Sequence, residues 1–116
     1  MDSAMRDAFK AYREAIEELN KNPPMSQFRT TKHYRAIRTY LDFNELMAIA
    51  VSKKVFSKQV CYNFWCNMLK TLQEDSQPVI DDARGERNSD RRYDELIALN
   101  RLWCGPARCH QLWWRR

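Results

Sequence analysis

Residues 43–51, with the sequence Phe-Asn-Glu-Leu-Met-Ala-Ile-Ala-Val, decide the fold of this chain. Only Asn44 and Glu45 interrupt a run that is otherwise apolar. A helix that is apolar on nearly every side is normally surrounded by other helices, because its apolar faces would otherwise meet water. The stretch therefore predicts a helix at the centre of a bundle.

The helix that contains this stretch is the second of the chain. Thr30 or Thr31 can cap its first turn, and the pattern continues to Lys53. Its first half is amphipathic, with an apolar face opposite a basic one. The apolar face carries Tyr34, Ile37 and Leu41, and the basic face carries Lys32, Arg35 and Arg38.

Apolar spacing predicts a helix on each side of this element. A first helix over about residues 3–20 is ended by Pro23 and Pro24, because proline lacks the amide donor and disfavours helical geometry in the residue before it. A third helix is capped by Ser57 and carries an apolar stripe over residues 60–72.

The remaining chain predicts two more helices. The triplet Ser76-Gln77-Pro78 reads as a cap followed by proline in the first turn of a short helix that ends near Gly85. A last helix covers about residues 90–103. With only four Val, five Ile and four Thr, the chain is poor in the residues that favour strands. We therefore predict an all-α fold, a compact bundle of about five helices.

The 116 residues are predicted to form one domain, because this length suffices for a self-sufficient core. Residues 1–22 form the N-terminal helix, residues 30–103 the helical core, and residues 104–116 an aromatic and basic tail. The longest apolar run, residues 46–51, is far shorter than the roughly 18 residues of a membrane-spanning helix, so no membrane contact is expected. The N-terminus lacks the features of a secretory signal, and we expect a cytoplasmic protein.

The net charge of +5 is distributed in bands along the chain. Residues 1–22 carry −1, residues 23–60 carry +5, residues 61–90 carry −3 and residues 91–116 carry +4. Four cations of the second band recur every three residues and form a basic strip: Arg29, Lys32, Arg35 and Arg38. Such a strip can neutralise phosphates, bind an acidic protein surface, or be an ordinary solvated face.

The C-terminal tail is a second candidate contact surface. It ends in Leu112-Trp113-Trp114-Arg115-Arg116, which pairs aromatic side chains with cations. Both types are enriched at interface hot spots. The alternative is a tail that folds back over its own domain with the arginines reaching into solvent.

No catalytic set or metal site is predicted. The chain lacks a Gly-rich phosphate loop, a Gly-x-Ser-x-Gly sequence and a His-Glu-x-x-His sequence. Asp81 and Asp82 are adjacent, so on a helix they diverge by about 100° and do not form an acid–base pair. Cys61 and Cys66 lie in a predicted helix, where a five-residue step of about 140° separates the thiols. We expect reduced structural cysteines, no cofactor and no enzyme activity.

Residues 40–103 carry a pattern that resembles a known family. It comprises Tyr40-Leu41-Asp42-Phe43-Asn44-Glu45, Ala48-Ile49-Ala50-Val51, Val55-Phe56-Ser57, Val60-Cys61-Tyr62-Asn63-Phe64-Trp65, Pro78-Val79-Ile80 with Arg84, and Tyr93-Asp94-Glu95-Leu96 with Trp103. The pattern is similar to a widespread helical domain of unknown function from bacteria and their phages, often behind a membrane anchor. The resemblance implies an all-α core and no activity, in a bacterial or phage setting, with the N-terminal helix in place of the anchor.

One position departs from that family. Similar proteins commonly have glycine where this chain has Lys54, and glycine there would close the preceding helix in a left-handed turn. Lys54 must therefore adopt the left-handed conformation itself or change the turn.

From these observations we predict a small non-enzymatic protein-interaction module. The sharper hypothesis is a phage or mobile-element inhibitor that binds a host defence protein, such as part of a nucleic-acid-handling complex, in the manner of an anti-CRISPR. A nucleic-acid-binding module that uses the basic strip is the alternative, and a structural homodimer is the third interpretation. The predicted contact residues are Arg29, Lys32, Arg35, Arg38, Trp113, Trp114, Arg115 and Arg116.

Overall fold

The chain folds into helices whose ends fall at the caps and breakers of its sequence. A computed structural model describes residues 3–54, 57–85 and 91–104. Its helices are α1 (Ser3–Leu19), α2 (Met25–Phe28), α3 (Lys32–Ser52), α4 (Lys58–Arg84) and α5 (Asp94–Cys104). These ranges contain no strand. The predicted all-α class is confirmed, and the helices form a single compact domain.

The predicted caps of α3 and α4 are confirmed. The Thr31 hydroxyl accepts a hydrogen bond of 3.3 Å from the Tyr34 amide, and the Ser57 hydroxyl accepts one of 3.4 Å from the Val60 amide. Each bond satisfies an amide that has no partner inside its own helix. The single turn of α2, which begins directly after Pro24, was not predicted, because four residues are too few to show a period.

Lys54 follows α3 in the left-handed conformation. This is the conformation expected of the glycine that similar proteins commonly have at this position. The φ angle of Lys54 is 62°, and its amide donates to the Val51 carbonyl at 3.0 Å. The turn is therefore kept, and the lysine adopts the left-handed conformation. A residue with a Cβ atom adopts this conformation at an expense of about 1 kcal/mol.

The prediction that a separate helix begins at Ser76-Gln77-Pro78 is wrong. Helix α4 runs through this triplet without interruption and contains Pro78 in its interior. Proline removes one intrahelical hydrogen bond and normally destabilises a helix by about 3 kcal/mol. Here Val79 and Ile80, which follow it directly, are fully buried, and Ser76 is buried with its hydroxyl 3.2 Å from that of Tyr12. The packing of this segment in the core outweighs the local preference.

Helix α3 packs against α1, α4 and α5, so the prediction that it is central is confirmed. The prediction that residues 43–51 are surrounded on all sides is wrong. Asn44, Ala48 and Val51 are buried, but Phe43 is 38% exposed and Leu46 is 66% exposed. The neighbouring helices lie against one side of α3 and leave its opposite side open.

Candidate interaction surface

Asp42 and Asn44 hold α3 to α4 and to the start of α5. Asp42 Oδ1 accepts a hydrogen bond of 2.7 Å from the Tyr93 hydroxyl. Asn44 is 1% exposed and both ends of its amide are satisfied. Its Oδ1 accepts from Trp65 Nε1 at 2.8 Å, and its Nδ2 donates to the Tyr40 carbonyl at 2.8 Å. These polar residues of the family-like pattern therefore specify helix packing.

Glu45 also holds two helices together, because it connects α3 to the N-terminus of α5. Its carboxylate accepts hydrogen bonds from the amides of Leu96, at 2.7 Å, and Glu95, at 3.4 Å. Amides in the first turn of a helix lack intrahelical partners and favour a negative charge. Burial raises the pKa of Glu45, and the two amide bonds oppose this shift. Glu45 thus serves as a cap supplied by another helix.

Arg29 and Arg38 belong to a chain of hydrogen bonds that joins α2, α3, α4 and the start of α5. Asp82 accepts from Arg29 Nε at 3.1 Å and from the Tyr34 hydroxyl at 2.7 Å. Arg38 donates to the hydroxyls of Tyr34 and Tyr93, at 3.0 Å each. The hydrogen bond from Arg29 holds the pKa of Asp82 below its usual range, and burial raises the pKa of Tyr93. The arrangement keeps its charges fixed at neutral pH and supports the fold.

The structure divides the predicted basic strip. Arg29 and Arg38 face the hydrogen-bond chain just described. Lys32 and Arg35 are exposed and form no ion pair with any residue that the structure describes. The four cations therefore do not form one uniform strip. The other predicted contact residues lie outside the described residues: Trp113, Trp114, Arg115 and Arg116.

The described cysteines show no metal-binding arrangement. Cys61 and Cys66 are partly buried thiols on α4, and burial raises the pKa of Cys61. No group of three or more His, Cys, Asp or Glu side chains within residues 3–54, 57–85 and 91–104 could hold a metal ion. Cys109 and His110 lie outside these ranges.

A groove of about 470 Å³ opens between α1 and α4. Its base is aromatic, with the rings of Tyr12 and Tyr40 stacked at a centroid distance of 4.6 Å and Phe9 beside them. The Tyr40 hydroxyl donates to Met68 Sδ at 3.6 Å. Burial raises the pKa of Tyr12 to about 12, so its hydroxyl stays protonated. The charged lining residues are of both signs: Arg13, Glu17 and Asp75. The groove is sized for a small apolar group, and its charged lining consists of two carboxylates and one guanidinium.

The second surface is the open side of α3, here called the α3 outer face. It consists of the apolar residues Phe43, Leu46, Met47 and Ala50 and the exposed cations Lys32, Arg35, Lys53 and Lys54. The apolar positions follow the spacing i, i+3, i+4 and i+7, which places them on one side of a helix. Leu46 and Phe43 are exposed, whereas Met47 and Ala50 are half-buried, and Met47 also packs against the hydrophobic core.

Sequence reasoning assigned Phe43 and Leu46 to the core, whereas the structure exposes both side chains. Helical periodicity shows that a segment has an apolar side, but a segment that is apolar all round gives no sign of which side is covered. Within this segment, the polar residues Asn44 and Glu45 were the available signal of which side is covered by other helices. Both turned out to mark the side that faces the other helices, since each bonds to a neighbouring element.

The fold and its surfaces define a small all-helical domain with a structural polar network inside and an apolar and basic helix face outside. The chain belongs to the family described as Domain of unknown function (DUF4760), which matches residues 1–103. The match includes α1, so the N-terminal helix is part of the family's domain. No curated protein and no solved structure matches the chain. Among the described residues, no helix combines the length and the apolar character needed to cross a membrane.

Proposed function

We propose that the chain is a non-enzymatic protein-interaction module that binds its partner through the α3 outer face. The observation that carries this proposal is Leu46, which is 66% exposed in the middle of the central helix. One exposed leucine is ordinary on a protein surface. Here Phe43, 38% exposed, stands one turn before it, and half-buried Met47 and Ala50 continue the row. Apolar rows of this spacing are what helical partners bind.

The proposal has a narrower form, an inhibitor from a phage or mobile element that blocks a host defence protein, of the anti-CRISPR type. It is supported by the small size of the chain, by the lack of a catalytic motif in its sequence, and by the exposed apolar groups and cations of the α3 outer face. Expression in bacteria that carry such a system should restore plasmid or phage entry. Leu46→Glu should abolish the effect, and an unchanged entry with the wild-type chain would refute the narrower form.

Affinity capture tests the broader proposal. The tagged chain is incubated with a lysate of the cells in which it is naturally expressed, as wild type, as Leu46→Glu and as Val60→Glu. Val60 is a matched control, because it is 53% exposed on α4 and the same change places a charge on another helix. The proposal predicts a partner that wild type and Val60→Glu retain and Leu46→Glu loses. Equal recovery with all three, or recovery of nothing, would contradict it.

Nucleic-acid binding is the alternative, and the structure gives it less support than the sequence did. This alternative was based on the four cations of the basic strip. Two of them are engaged within the fold, since Arg29 pairs with Asp82 and Arg38 donates hydrogen bonds to Tyr34 and Tyr93. Lys32 and Arg35 alone would give a shallow salt dependence, with a slope near about −2. A gel shift titrated with salt tests this alternative. A steep slope that Arg35→Glu reduces would favour it over a protein partner.

A further inference from the structure

We infer that the α3 outer face binds an amphipathic helix that carries apolar residues at its centre and acidic residues at both of its ends. This inference rests on the proposed function and names the chemistry of the partner. It follows from how charge is arranged around the apolar row.

Cations stand at both ends of the apolar row and no acidic side chain of α3 balances them. Lys32 and Arg35 precede it, and Lys53 and Lys54 follow it; all four are exposed. At about 1.5 Å per residue, the inner pair, residues 35 and 53, lie roughly 27 Å apart along the helix, which is the length of a helix of about 18 residues. None of the four forms an ion pair with a described residue.

The two acidic residues of α3 are engaged elsewhere. Asp42 accepts the hydrogen bond of Tyr93, and Glu45 caps α5 through the Leu96 amide. Glu45 lies about 100° from Leu46 around the helix, towards α5, whereas Asp42 is exposed one turn before Leu46, at the edge of the apolar row, with its Oδ1 held by the Tyr93 hydroxyl. The α3 outer face is therefore apolar in the middle and positive at each end, and its electrostatic complement is negative at each end.

A second copy of the chain does not fit this face. Two α3 helices paired antiparallel, with residue 43 of one opposite residue 44 of the other, would bring Lys32 and Arg35 of each copy within two residues of Lys53 and Lys54 of the other. A parallel pair would place each cation opposite its own copy. Like charges in direct opposition disfavour such contacts. The homodimer interpretation is therefore the weaker one for this surface, and the partner must supply the carboxylates.

Two designed peptides test the inference by fluorescence anisotropy. Both have 18 residues, a helical backbone fixed by a side-chain staple, and four leucines along one face. One carries two glutamates at each end, and the other carries two lysines there. Each is titrated with the full chain at low and at moderate salt. We expect the glutamate peptide to bind at least about tenfold more tightly than the lysine peptide, and to weaken as salt rises.

Three variants test which side chains of the chain are responsible for peptide binding and for the preference between the two peptides. Leu46→Glu should abolish binding, whereas Val60→Glu should leave it unchanged. The double variant Lys32→Glu/Lys53→Glu leaves no net charge at either end of the apolar row and should remove the preference between the two peptides. Far-UV circular dichroism verifies that each variant is folded.

The outcomes separate this inference from the proposed function. If the two peptides bind equally and Leu46→Glu abolishes the binding of both, the inference about charge is overturned. The α3 outer face then remains a contact surface. Binding that Leu46→Glu does not weaken would overturn both. If neither peptide binds although affinity capture shows a partner that depends on Leu46, the occupant is not an acid-ended helix and the inference fails alone.

Discussion

Replacing Asn44 with alanine tests whether the polar residues of the 40–45 segment serve the fold. Asn44 is 1% exposed and bonds to Trp65 Nε1 and to the Tyr40 carbonyl, each at 2.8 Å. Alanine would leave the indole N–H of Trp65, a residue only 7% exposed, without its acceptor. An unsatisfied buried donor costs about 1–3 kcal/mol, and the missing side-chain volume adds roughly 1 kcal/mol. We therefore expect a loss of about 2–4 kcal/mol in the free energy of unfolding.

Urea denaturation followed by far-UV circular dichroism measures this loss. Asn63→Ala is the matched control, because Asn63 is exposed on α4 and the same change there should stay within about 0.5 kcal/mol. Trp65→Phe removes the donor, so a double variant with Asn44→Ala should lose less than the sum of the two single changes, by about 1–2 kcal/mol. Additive losses, or a loss for Asn44→Ala no larger than that of the control, would refute a structural role for this hydrogen bond.

Two further predictions concern backbone conformation and charge. Lys54→Gly should raise the free energy of unfolding by about 1 kcal/mol, because glycine adopts a φ of 62° without a Cβ clash; a lowered urea midpoint would contradict this. Asp82 has a pKa lowered in the folded state, chiefly by the hydrogen bond from Arg29, so its carboxylate stabilises the fold above the unfolded value of about 4. That contribution disappears as the pH falls through the lowered pKa. Thermal midpoints of Asp82→Asn should therefore fall less steeply than those of wild type between about pH 5 and 2, and parallel curves would show that Asp82 contributes nothing.

The fold class and most helix ends could be predicted from the sequence because they depend on local signals. Thr31 and Ser57 cap the helices that their positions indicated, and the prolines at residues 23 and 24 end α1 where expected. The continuation of α4 through Pro78 could not be predicted, since it depends on burial against other helices. The predicted break there was wrong because tertiary packing outweighs the local penalty of a proline.

The candidate surface could be predicted only in part. The sequence identified α3 as the central helix and Lys32 and Arg35 as exposed cations. It could not show that Arg29 pairs with Asp82, a residue 53 positions away, because such a contact is set by the folded arrangement. For the same reason it placed Leu46 in the core. Which side of an apolar helix remains uncovered depends on how many helices the chain has and where they lie.

The most direct test of the account is a photo-crosslink from position 46. A photoreactive amino acid is incorporated in place of Leu46 or, as a control, in place of Val60, and the cells that express the chain are irradiated. The account predicts one reproducible covalent adduct from position 46, identified by mass spectrometry, and no such adduct from position 60. Adducts of equal yield from both positions, or none from position 46, would contradict the claim that the open side of α3 is the contact surface.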